Sequence, residues 1–128
     1  MSRHNVSSGA PWEPIVGYSR AVRIGPLVCV AGTTAIDDAG RVVGPGDAYA
    51  QAVRALERIE SALHVVGARR QDVIRTRIYV TDISRWGEVG RAHGEFFGTV
   101  RPAATLVQVA GLVDPQMLVE IEADAYLP

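Results

Sequence analysis

Between Asp47 and Asp82 the hydrophobic rhythm changes once, from that of a helix to that of a strand, and this change most limits the folds open to the chain. Tyr49, Ala52, Val53, Leu56, Ile59, Leu63 and Val66 recur at steps of three and four, while Arg54, Glu57, Arg58 and Ser61 fall on other faces. Asp47 stands where an N-cap belongs, and Gly67 stands where a left-handed residue can end a helix. About 20 residues at a rise of 1.5 Å make a rod of roughly 30 Å. Next, Ile74, Thr76, Ile78 and Val80 alternate with Arg75, Arg77, Tyr79 and Thr81. A helix with one apolar stripe and a strand with one apolar side must cover each other, so the domain is of the α-on-β kind.

The other elements follow from weaker signals. Residues 18–24 and 27–31, separated by Gly25-Pro26, predict a hairpin. Ser84 is placed to cap a second helix with Trp86, Val89, His93, Phe96 and Phe97 on its apolar side. Gly87, Gly90, Gly94 and Gly98 weaken that helix by up to about 1 kcal/mol per interior position, so packing has to hold it. Residues 105–109 and 117–126 are the last strand candidates. Residues 1–14, polar and carrying Ser, Gly and Pro, predict an irregular N-terminal arm. The expected order is β-β-α-β-α-β-β: one α+β domain over residues 1–128, a mixed sheet with two helices on one face.

The opposite sheet face then carries Arg75, Arg77, Glu120, Glu122 and Asp124. Such a face is either solvated or pressed against another subunit. Arg77 and Glu122 sit on strands able to neighbour each other, and two readings of them stand side by side. They form a structural ion pair, or they form a site at a subunit seam. In the second reading Arg77 holds a substrate carboxylate and a desolvated Glu122 orients water.

Composition excludes several chemistries. All 13 basic side chains are Arg, so Schiff-base lysines, P-loop lysines and Ser-Lys pairs are impossible. A formal charge of −1 argues against a dedicated nucleic-acid binder. His4, His64 and His93 lie far apart, without metal-site spacing, so no metal is expected; His93 reads as a packing residue. Cys29, the single Cys, leaves no internal disulfide; its place between Val28 and Val30 predicts burial. No signal pattern occupies residues 1–17, and no apolar run approaches the roughly 20 residues that span a bilayer. Together these features read as a cytoplasmic protein without a membrane partner.

Several segments taken together resemble the RidA (YjgF) family. They are Tyr18 after Gly17, Val30-Ala31-Gly32-Thr33, Arg77-Ile78-Tyr79-Val80-Thr81-Asp82, Phe96-Phe97, Arg101-Pro102-Ala103 and Val119-Glu120-Ile121-Glu122-Ala123. The resemblance covers about residues 17–126. It implies a chorismate-mutase-like fold, a homotrimer with clefts between subunits, and hydrolysis of enamines or imines to 2-keto acids and ammonia without metal or organic cofactor. It places Tyr18 at the family's Tyr and Glu122 at its late Glu, with backbone groups near Ala104 and Thr105 binding polar substrate atoms. The family's carboxylate-binding Arg, which follows Pro-Ala, is replaced by Ala104; its Ser before Gly32 is Ala31, and its Asn early in the second helix is Gly90. The chain therefore looks like a divergent subgroup. Either Arg77 or Arg101 replaces the lost cation, or the pocket, lined by Ala31, Ala104 and Leu106, takes a less anionic substrate. A non-catalytic trimeric binding protein is the alternative from another class, and endoribonuclease activity is a third that the charge balance disfavours.

Overall fold

Asp47 caps the long helix as expected: its Oδ1 accepts a hydrogen bond from the Ala50 N–H at 2.9 Å. The computed structural model describes residues 2–128, and Met1, the first residue of the expected arm, lies outside them. The helix, α2, spans Ala48–Val65, and Gly67 follows with φ 81°, where only glycine is free of strain. Six strands make one sheet: β1 (Arg3–Val6), β2 (Ala21–Ile24), β3 (Leu27–Thr33), β4 (Val73–Val80), β5 (Ala103–Gln108) and β6 (Val119–Tyr126). Their spatial order is β1-β2-β3-β6-β4-β5. Neighbours are antiparallel except β4 and β5, whose parallel pairing follows from the crossover through α3 (Trp86–Phe97).

The core lies between this sheet and the two long helices. Leu56, Ile59 and Leu63 of α2 are fully enclosed against Val28, Val80, Val119 and Ile121. Each such side chain contributes roughly 1.5–3 kcal/mol by leaving water. Thr76, Ile78 and Val80 are buried as the alternation required, but Ile74, expected with them, is 54% exposed because the β4–β6 register shifts between Val73 and Arg75. Thr76 hydrogen-bonds the His93 ring at 2.8 Å, so His93 is a packing residue. Gln51 is a buried polar exception with 0 % exposure. Its amide reaches the Gly44 and Gln116 carbonyls and its carbonyl accepts from Leu118 N–H, tying two loops to α2. Among the described residues no helix is long and apolar enough to cross a membrane.

Three further expectations need correction. The arm is not irregular: β1 pairs with β2, and a short helix α1 (Trp12–Val16) follows. The observed order is β-α-β-β-α-β-α-β-β. The polar sequence hid this because β1 buries one side chain, Val6, and owes its form to ladder hydrogen bonds. The turn after it is held by Glu13, whose Oε2 accepts from Ser8 N, Ser8 Oγ and Ala10 N. Ser84 does not cap α3. Asp82 accepts from Ser84 in a 3₁₀ turn that precedes the helix. Cys29 is exposed, because Val28 and Val30 take the inward positions of β3 and the residue between them must face out.

Candidate functional site

Strand β6 puts Glu120, Glu122 and Asp124 on the face away from the helices, where each meets a different environment. Asp124 receives Arg77 at 3.1 Å. Glu122 accepts from the Tyr79 hydroxyl at 2.8 Å and lies 3.6 Å from the same Arg77. Glu120 has neither a hydrogen bond nor an ion pair among the described residues. Its carboxyl lies over Gly32, so close that a Cβ there would stand 2.1 Å from Oε2. The β3–β6 register shifts between Val30 and Thr33, and that irregularity, with a residue lacking a side chain, lets Glu120 settle against backbone. Burial holds the Glu120 carboxyl above its ordinary range; Arg20 opposes the rise and Glu122 adds to it.

Cations gather on the other side of Gly32. Arg20, 5 % exposed, donates to the Gly32 carbonyl. Arg58 and Arg54 reach down from α2 to the Thr34 and Ile36 carbonyls at 2.7 and 2.9 Å. Three guanidiniums thus hold alternate carbonyls of the chain as it leaves β3. Within 4 Å, Arg20 and Arg58 have no carboxylate partner among the described residues, and the Arg20 Nε is buried without an acceptor. Burial, followed by repulsion from Arg20 and Arg54, pulls the Arg58 pKa down to about 10. A cleft of about 480 Å³ joins the two groups, lined among others by Trp12, Tyr18, Ala31, Arg58, Glu120 and Glu122. A larger cleft of about 630 Å³ on the α2 side shares Trp12, Arg20 and Arg58 but holds neither glutamate.

The structure divides the residues singled out from sequence. Tyr18, Ala31 and Glu122 line the smaller cleft. Arg77 is occupied by Asp124 and does not line it. Thr105 pairs with Arg77 and Ala104 with Thr76, so Ala104 faces the helix side of an edge strand while Arg77 faces the other side. Within one chain, Arg77 cannot stand in for the cation lost at Ala104. Both Ala104 and Thr105 lie on β5, separated from β6 by β4. Arg101, exposed in the loop before β5, is the one non-glycine residue with positive φ among those described, at 50°. Sequence reasoning missed Glu120 as distinct from Glu122, and it missed Arg20, Arg58 and Trp12. The β6 alternation gives Glu120 and Glu122 equal standing; only the close approach to Gly32 separates them. Arg58 did carry a signal, as an Arg on a helix flank near the apolar stripe.

A carboxyl whose pKa is raised by burial, set beside cations without a direct ion pair and a phenol, can protonate a nitrogen and then accept a proton from water. Among the described residues no cluster of His, Cys, Asp or Glu could hold a metal ion.

The family model described as Endoribonuclease L-PSP matches residues 8–127. An uncharacterized protein of Streptomyces coelicolor is 42% identical over 121 residues, covering 94% of this chain and 90% of its own. A RutC family protein of Pyrococcus abyssi is 33% identical over 114 residues, 89% of each chain. The crystal structure of a member of the YjgF/YER057c/UK114 family from Mycobacterium tuberculosis superposes with a TM-score of 0.91 at 58% identity, over 98% of this chain and 100% of that one.

Proposed function

The chain belongs to the YjgF/RidA family that the Endoribonuclease L-PSP model describes, and on that premise we propose that it is a hydrolase of small imines or enamines. The observation that carries this reading is Glu120: an unpaired carboxyl with a raised pKa in a cleft shared with Tyr18. Glu122 was the sequence candidate for that role. In this reading Glu122, bonded to Tyr79 and close to Arg77, positions its neighbours while Glu120 carries the proton.

In the proposed reaction, protonated Glu120 donates to the imine nitrogen as water adds to the carbon. The resulting carboxylate takes a proton from that water, giving a neutral carbinolamine. Glu120 then protonates the amine nitrogen, the C–N bond breaks to release ammonia, and the carboxylate takes back the hydroxyl proton as the carbonyl forms. Tyr18 bounds the substrate and donates a hydrogen bond to it. The chemistry uses water and side chains alone. The exposed edge strand β5 supports a trimer in which a second copy brings Ala104 and Thr105 to the open side of the cleft.

Ammonia release across a panel of amino-acid-derived imines tests the reading, with Glu120→Gln and Glu122→Gln alongside. We expect Glu120→Gln to remove turnover and Glu122→Gln to reduce it. Turnover no faster than spontaneous hydrolysis for every imine would leave the second reading, a trimeric binding protein without catalysis, which Ala104 favours. RNA cleavage is disfavoured because the cleft holds no histidine to serve as base.

A further inference from the structure

We infer that Arg58, backed by the buried charge of Arg20, is the anion-recognition group of this cleft, and that its ligand carries a carboxylate which enters from the α2 end. The inference rests on the reading that the Glu120 cleft takes a small molecule, and it names the ligand's charge and orientation. The grounds are electrostatic and geometric. Arg20 is 5 % exposed, its Nε has no acceptor, and no carboxylate lies within 4 Å of it or of Arg58 among the described residues. A buried cation without a direct ion pair is costly, and two side by side are costlier; Tyr18, Glu13 and Glu120 offset the Arg20 charge only at longer range. A fold that keeps such a pair at the wall of a cleft holds a site already arranged for an anion.

The two arginines have different parts. Arg20 is sealed in the cleft wall and acts through its charge. Arg58 is partly exposed, and of its five N–H donors one is given to the Thr34 carbonyl. Arg58 lines the cleft shared with Glu120 as well as the larger cleft on the α2 side, and its remaining donors suit the two oxygens of a carboxylate. Arg54, fixed to the Ile36 carbonyl and lying 3.8 Å from Asp38, reinforces the positive field without a free fork. Charge recognition has therefore not vanished with the Arg that Ala104 replaces. It passes from the Ala104 position on β5 to Arg58 on α2, so the ligand lies with its carboxylate toward α2 and its reacting carbon toward Glu120.

The test uses the full chain and two probes, 2-oxobutanoate and its uncharged amide, titrated by calorimetry. The wild type should bind the keto acid about tenfold or more tightly than the amide. Arg58→Gln keeps a donor for Thr34 and should weaken keto-acid binding on the order of 10- to 100-fold while leaving the amide unchanged. Ser61→Asp places a carboxylate one helical turn from Arg58 at an exposed position, and should weaken keto-acid binding in the same direction without loss of fold. Arg101→Gln should change nothing. Equal binding of acid and amide, wild-type affinity in Arg58→Gln, or loss of binding in Arg101→Gln would each overturn the inference. If it fails while Glu120-dependent ammonia release persists, the proposed hydrolase survives. If keto-acid binding depends on Arg58 and no imine is turned over, the hydrolase falls and the anion site stands.

Discussion

Substituting Gly32 by Ala isolates the role of Glu120 from the stability of the fold. The new methyl would stand 2.1 Å from Glu120 Oε2, and ordinary contact begins at 3.4 Å, so the carboxyl must retreat by more than 1 Å. What it meets is the end of a flexible side chain, and the backbone at Gly32 lies outside the positive-φ region. The fold therefore loses little, and the reduced freedom of the unfolded chain offsets about 0.4–1 kcal/mol. The Glu120 carboxyl, pushed toward solvent, loses the burial that raised its pKa. Its titration, followed by carboxyl-carbon NMR, should fall back toward the ordinary value of 4.5. Turnover of the best imine should drop about 100-fold, the usual consequence of misplacing a reacting group by an ångström. Thermal unfolding should move by no more than a few degrees. A Gly32→Ala protein with wild-type turnover and an unmoved Glu120 titration would refute the placement of the carboxyl over Gly32. Lost turnover with a collapsed melting temperature would refute the separation of site from fold.

Glu120→Gln should change the pH dependence of stability in a defined direction. The folded pKa of Glu120 is raised, so the native state holds the proton longer than the unfolded one, and wild-type stability declines as pH rises above about 4.5 through the folded value. The Gln variant lacks that decline, and denaturant melts at pH 4 and pH 8 should show its advantage at the higher pH alone. Asp47→Ala removes the acceptor for the Ala50 N–H at an exposed cap and should cost about 1 kcal/mol in urea unfolding. Gln51→Ala leaves the Leu118 N–H and two loop carbonyls without their partner. It should cost about 2–4 kcal/mol, and Gln51→Glu should do no better, since it replaces the amide donor by a carboxylate. A loss below about 1 kcal/mol for Gln51→Ala would show that water takes over those contacts.

How far the sequence carried is clearest on β4 and β6. Alternation along each strand is a local property, and it placed Ile78, Val80, Val119 and Ile121 inside and Arg77 and Glu122 on the opposite face; it failed at Ile74, where the β4–β6 register shifts, and the pairing of Arg77 with Glu122 came from the sheet. The caps of α2 were equally legible, because a cap acts within four residues. The N-terminal segment was not. Its strand exists because β2 offers an edge, and its turn exists because Glu13 gathers three donors, neither of which a window of polar residues reveals.

The site follows the same division. Sequence supplied a row of carboxylates on one face, a Tyr, a missing Arg at Ala104 and an all-Arg stock of cations. It could not rank Glu120 against Glu122, since both occupy the same phase of the strand. That ranking came from a register shift in β3 and the bare backbone of Gly32, contacts made across more than 80 residues of chain. Nor could it gather Arg20 and Arg58 around one stretch of carbonyls, because one comes from β2's approach and the other from the middle of α2. Local spacing fixes which way a side chain points. Desolvation and charge compensation depend on every neighbour that packs around it, and those are set only when the sheet and helices close.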